Sequence, residues 1–278
     1  MRLTPTPVKV AARELGLATL EPVRLRDAVD ALRAVQPDLF AVASYGKIVP
    51  QAILDVPPLG ALNIHPSLLP LYRGATPLQS QLRDGVVDSG VTIIAMDAGM
   101  DTGDIVLQER AAIGGRETYG ELHDRFAELG AALLARACEL TLGGRARPTA
   151  QALFGSNADA QSTLTRPIAK ADLEIDWSVA ATTVCALVRS LAPAPGARAR
   201  FVGDADPVKI LALRVGEPRD AAAQADAASA LRGNAVPGTL AGSFVATGSG
   251  FVVLERVVVP GRNPMTGDEF ARARVTAG

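Results

Sequence analysis

Cysteine is nearly absent from this chain: its 278 residues contain Cys138 and Cys185 and no other. Neither has a C-x-x-C partner or a neighbouring histidine, which argues against a zinc site and leaves both as buried apolar fillers. Histidine is just as scarce, with only His65 and His123. A surplus of either charge is missing too, because 28 lysines and arginines meet 29 aspartates and glutamates. Net charge therefore does not announce a nucleic-acid partner. No apolar run reaches the roughly 18 residues a transmembrane helix needs. The first residues lack a basic segment followed by an apolar stretch, so a cytoplasmic, reducing location is expected. No internal repeat is apparent.

What the chain does have is length and apolar content, 48% of residues, enough for one large domain with an appendage or for two domains, with a real core. Helical spacing at Val8–Leu15 and Asp27–Val35 alternates with strand-like runs at Ala18–Leu25, Leu39–Ser44, Ala61–Ile64 and Val91–Met96, an α/β pattern. Ile105–Gln108 reads as a further, antiparallel strand. Thr118-x-x-Glu121 has the form of a capping box opening a helix that runs to about Leu140. Gln151–Ala160 reads as a polar surface linker, and Ala180–Ser190 as an amphipathic helix broken by Pro193 and Pro195. Beyond it the pattern turns β-rich, with strands at Val208–Val215, Gly238–Ala246 and Phe251–Val259. The last two are joined through Thr247-Gly248-Ser249-Gly250, a permissive turn with no helix after it and hence no phosphate loop. Asp220–Asn234 is an alanine-rich insertion.

The stretch Gly60–Pro77 concentrates the chemistry. Pro66 removes a backbone donor and confines His65 to extended geometry, so His65 closes a strand. Asn63 and His65 are two apart and share a face. In an open parallel sheet that strand end borders the ligand crevice. An amide donor beside an imidazole suits an oxyanion, although a core asparagine and a turn-capping histidine would carry the same letters. Asp97, Asp101 and Asp104 lack the alternating acidic ligands and terminal glutamate of a calcium loop, so no metal is expected. His123, within the capped helix, reads as an ordinary half-exposed residue.

Asn63-Ile-His-Pro-Ser-Leu-Leu-Pro70 with Tyr72-Arg73-Gly74 resembles the signature of formyltransferases that use 10-formyltetrahydrofolate, and Met96–Asp104 resembles that family's aspartate loop. Leu3–Lys9, Ala43–Pro50 and Ile175–Ser178 are similar to the branch whose acceptor is methionyl-initiator tRNA. The resemblance implies a Rossmann-like domain followed by an OB-like β-barrel, and formyl transfer through a tetrahedral intermediate. Asn63 and His65 would stabilise the oxygen, while Asp101 would tune His65 and assist proton transfer. It further implies a folate site from Tyr45, Gly46, Ser67, Leu68, Leu69, Pro70 and Arg73. Arg73 alone could equally be a solvated or paired arginine.

Ahead of Leu3 the family pattern has a strand–glycine–helix unit, a second strand and a basic loop, about forty residues without counterpart here. That expectation makes the first domain incomplete at its start and leaves Leu39–Ser44 with an unpaired edge, open to association in a chain otherwise monomeric. The expected division is 1–160 catalytic, 161–195 a helix-bearing linker and 196–278 the barrel. From Arg198 onward ten basic residues face eight acidic ones, which would not by itself identify a nucleic-acid binder. Two rival readings are a formyltransferase for a sugar nucleotide or small amine, and a catalytically impaired binding module.

Overall fold

The computed structural model describes residues 4–204, 206–217, 220 and 235–275. Helix α1 (Pro7–Glu14) starts where expected, with proline at its first position and the Thr6 hydroxyl accepting from the Lys9 N–H. The strand expected at Ala18–Leu25 does not form. A strand needs a neighbour for its backbone groups, and here Leu20 and Val23 stand 58% and 89% exposed with no strand alongside among the described residues. A 3₁₀ turn at Leu25–Ala28 leads instead into α2 (Val29–Ala34).

Then follow β1 (Phe40–Val42), α3 (Gln51–Leu54), β2 (Ala61–His65), α4 (Pro77–Arg83), β3 (Asp88–Ala95) and β4 (Ile105–Ala112). The sheet order is β1-β2-β3-β4. Only β1 and β2 run parallel; β3 is antiparallel to both β2 and β4. The sheet is thus mixed: the segment carrying α4 returns β3 antiparallel to β2, and the short Met96–Asp104 loop reverses the chain directly from β3 into β4. Strand β1 pairs with β2 alone among the described residues, so its outer edge is open.

Helix α5 (Tyr119–Leu142) carries the expected capping box and lays Leu122, Phe126, Gly130, Leu133 and Ala137 on the sheet. A Cβ on Gly130 would stand 2.8 Å from the Ile64 methyl, so glycine sets this close approach. Leu62 and Ile64 therefore belong to the α5 side of β2. Alternation assigns Asn63 and His65 to the other side, opposite Ile94 and Thr92 of β3.

Past α5, Ile105 and Thr149 exchange two 2.8 Å backbone bonds, which return the chain to the first sheet. Gln151 is only 4% exposed, so the segment expected as a surface linker begins inside the protein. Helices α6 (Asn157–Ser162) and α7 (Ala181–Leu191) follow. The second sheet runs β5 (Ala197–Ala199), β6 (Val208–Val215), β9 (Phe251–Val258), β8 (Phe244–Ala246), β7 (Leu240–Ala241), with β10 (Met265–Thr266) also on β9. It is antiparallel and curled, the barrel-like architecture expected. The run Gly238–Ala246 splits into β7 and β8 because the chain turns at Gly242, φ +58°. Helix α8 (Gly267–Val275) closes the chain. Apart from Asp220, the alanine-rich insertion lies outside the described residues.

Leu173, Ile175, Trp177, Val184, Val188 and Leu191 pack with Ile210, Val252, Leu254 and Phe270 in one core. Residues between 161 and 195 thus contribute to the second domain's interior. Each such fully buried large side chain stabilises by about 1.5 to 3 kcal/mol. The two units join where the Gly120 N–H donates to Ala192 O at 3.0 Å and Arg189 reaches Glu117 O at 3.3 Å.

Candidate active site at the end of strand β2

Pro66 ends β2, and the chain then coils under the strand. Ser67 Oγ donates to Leu71 O at 2.7 Å, while Thr92 Oγ1 donates to Ser67 O and accepts from the Leu69 N–H. Gln108 Nε2 bonds both Leu69 O and Thr92 Oγ1. This buried network turns the chain so that Tyr72, at φ +58°, directs its carbonyl at His65 Nε2, 2.8 Å away. A carbonyl only accepts, so Nε2 carries the hydrogen and Nδ1 is the nitrogen left to work.

Nδ1 faces Asp101. The carboxylate stands on the β3–β4 loop, where Asp97 ties back to the Gly99 N–H and the Thr102 hydroxyl. At Gly103 a Cβ would meet Ala95 O at 1.8 Å, so only glycine lets the loop close this tightly. Asp101 itself is left-handed, φ +55°, and its Oδ2 accepts from the Gly74 N–H at 2.8 Å. The same oxygen lies 3.5 Å from His65 Nδ1. That is longer than the roughly 2.7 to 3.2 Å of a formed hydrogen bond, so Nδ1 is not tied down.

His65 is 3% exposed. Burial pushes its pKa below the ordinary histidine value; Asp101 and the Tyr72 carbonyl oppose that shift, and Arg73 adds to it. The ring is thus held neutral between two acceptors that would welcome its charged form. Asn63 is partly exposed beside it on the same strand face, and its amide makes no hydrogen bond with any described residue.

The other expected contacts divide. Tyr45, 41% exposed, and Gly46, φ +69°, lie on the loop leaving β1, which runs parallel to β2 and so departs at the His65 end. Ser67, Leu69 and Pro70 are buried, and the backbone of Ser67 and Leu69 is spent on Thr92 and Gln108, so they shape the loop from within. Leu68 packs over Gly90 of β3, where a Cβ would touch its methyl. Arg73 gives two hydrogen bonds to Gln151 Oε1. His123 is half exposed beside Asp124, away from this constellation. Among the described residues no group of three or more His, Cys, Asp or Glu side chains could hold a metal. Gln151, Thr163 and Thr165 escaped the sequence reading: Thr163 Oγ1 accepts from the Tyr72 N–H, and Thr165 pairs with Arg73 O through both its N–H and hydroxyl. Threonine and glutamine partners of a loop, distant from it in sequence, carry no pattern of their own.

The Asn63 amide and buried His65 imidazole of β2, with the Asp101 carboxylate of the β3–β4 loop, lie in the part of the chain that matches the formyl transferases, a class of group-transfer enzymes. Residues 3–138 match the formyl transferase family, and residues 167–274 match the formyl transferase C-terminal domain. The methionyl-tRNA formyltransferase of Syntrophus aciditrophicus is 38% identical over 273 residues, 98% of this chain and 82% of that protein. That of Bradyrhizobium sp. is 37% identical over 283 residues, covering 100% and 85%. The chain belongs to the methionyl-tRNA formyltransferase family. HypX from Aquifex aeolicus in complex with tetrahydrofolic acid superposes with a TM-score of 0.66, covering 89% of this chain and 41% of HypX at 19% identity. The N-formyltransferase from Helicobacter canadensis, in complex with folinic acid and dTDP-3-aminofucose, gives 0.58 over 77% and 72% at 17% identity. Those likenesses concern the fold.

Proposed function

We propose that this protein transfers a formyl group from 10-formyltetrahydrofolate to the amino group of methionine esterified to initiator tRNA, with residues 1–160 carrying the chemistry. The observation that carries the reading is the His65 ring, locked through Nε2 on Tyr72 O and open through Nδ1 toward Asp101. Identities of 38% and 37% over 98% and 100% of this chain to relatives of that name support the acceptor.

The residues divide the work by charge. As the acceptor amine bonds to the formyl carbon, negative charge grows on the formyl oxygen and positive charge on the amine. Asn63 donates its free N–H to that oxygen, a contribution of about 3 to 4 kcal/mol for one such donor. In place of the oxygen-stabilising role expected of His65, its Nδ1, which carries no hydrogen while Nε2 donates to Tyr72 O, takes the proton released by the amine, directly or through a water, and the imidazolium so formed is held between Tyr72 O and Asp101. The same proton then passes to the departing folate nitrogen as the old carbon–nitrogen bond breaks, returning His65 to its neutral form. Tyr45 and Gly46 border the open side where the folate would lie. The open β1 edge supports self-association of an otherwise monomeric enzyme.

Labelled formyl transfer to charged initiator tRNA tests the reading, with uncharged tRNA and an amino-sugar nucleotide as competing acceptors. Transfer to charged tRNA alone is expected. Transfer only to the sugar would establish the other acceptor class, and folate binding without transfer would leave a binding module.

A further inference from the structure

Gln151 stands in the stretch between the two family matches, at the head of a 3₁₀ turn, and is 4% exposed. Every hydrogen-bonding capacity of its amide is used. Nε2 donates to Asp101 O at 2.8 Å and to Gly103 O at 2.7 Å, and Oε1 accepts from Arg73 Nε at 3.0 Å and Nη2 at 2.6 Å. Three consecutive residues of the loop after β2 thereby each fix a different part of the site. Tyr72 O holds His65, Arg73 holds Gln151, and the Gly74 N–H holds the Asp101 carboxylate.

We propose that Gln151 is a positioning residue: a neutral clip that fastens the backbone of the Asp101 loop to Arg73 and so keeps the Asp101 carboxylate on His65. Two physical points support it. Asp101 occupies the left-handed region, which costs a non-glycine residue about 1 to 2 kcal/mol and needs outside contacts to persist. The two donors of Gln151 supply contacts at Asp101 and Gly103. Second, Arg73 is a cation close enough to influence His65, and an uncommitted guanidinium prefers a carboxylate to an amide. By occupying Arg73 with an uncharged oxygen, Gln151 prevents an Arg73–Asp101 pair that would take the carboxylate from the imidazole. Gln151 touches no reacting atom, and its action is through Asp101.

The proposal rests on the catalytic reading above, and its test is arranged to be separable from it. Gln151→Met keeps the side chain's size without its hydrogen bonds, while Gln151→Glu keeps the length and the Arg73 acceptor but loses both donors to the loop. Both should lower kcat about ten- to hundredfold through displaced geometry, with KM for either substrate within about threefold. Because the chain has only two histidines, an NMR titration of the whole chain follows His65 on its own. In Gln151→Met the His65 midpoint should move to lower pH, since its Asp101 contact is lost. An unchanged kcat, a Gln151→Glu enzyme equal to the parent, or a fall in kcat with the His65 titration unmoved would each overturn the assignment. If the parent transfers no formyl group the catalytic reading fails, yet the His65 titration still decides whether Gln151 holds Asp101 in place.

Discussion

The backbone N–H of Gly74 donates to Asp101 Oδ2 at 2.8 Å, tying the loop after β2 to the loop after β3. Gly74 holds φ +109°, and a Cβ there would lie 2.3 Å from Thr165 O. Gly74→Ala should therefore cost about 1 to 3 kcal/mol from overpacking and backbone strain. Thermal unfolding of parent and variant measures this. The variant should also lose turnover, because the displaced N–H no longer aligns the carboxylate. A variant with parental melting and turnover would show that the loops are not coupled here.

Asp101→Asn separates charge from shape. The asparagine oxygen still accepts from Gly74, so the fold should hold, but the neutral amide cannot stabilise an imidazolium on His65. Turnover should fall about a hundred- to ten-thousandfold. Steady-state kinetics on the variant, with circular dichroism to verify folding, is the measurement. A loss below tenfold would mean that Asp101 does not stabilise the imidazolium.

His65 also leaves a signature in stability. Its folded pKa lies below the ordinary value of 6.5, so the folded state stays neutral where the unfolded chain takes up a proton. The stability it contributes is complete above about 6.5 and is lost progressively as pH falls from there toward the folded pKa. Urea unfolding between pH 8 and 5 should accordingly show a shallower acid loss in His65→Asn than in the parent. Equal slopes would mean that the imidazole is not held neutral.

The outer edge of β1 offers a test of association. Phe40 donates its N–H toward Gly60 O, so by alternation the N–H of exposed Ala41 faces away from β2. Ala41→Pro removes only that outward donor, which an edge strand tolerates. Analytical ultracentrifugation should find concentration-dependent association in the parent and less in the variant. A monomeric parent at all concentrations would end this part of the reading.

Much of the site was legible because it is written in local grammar. Pro66 dictates where β2 stops, two-residue alternation unites Asn63 with His65, and Thr118 with Glu121 announces α5 before any contact is known. What escaped was tertiary. Ala18–Leu25 has a strand's composition, but no neighbour takes its backbone. Ser67 and Leu69 sit inside a motif associated with ligand, yet Thr92 and Gln108, distant in sequence, claim their polar groups. Gln151 opens a stretch of mostly exposed residues and is itself buried, a distinction made by Arg73 and the Asp101 loop.

Single-turnover formyl transfer to charged initiator tRNA by His65→Asn, with folate affinity measured on the same preparation, weighs the central claim most directly. The parent should transfer, and the variant should be slower by about a hundred- to a thousandfold while binding folate within about threefold of the parent. A variant within tenfold of the parent would contradict the role given to His65. Failure of the parent itself to transfer would contradict the function.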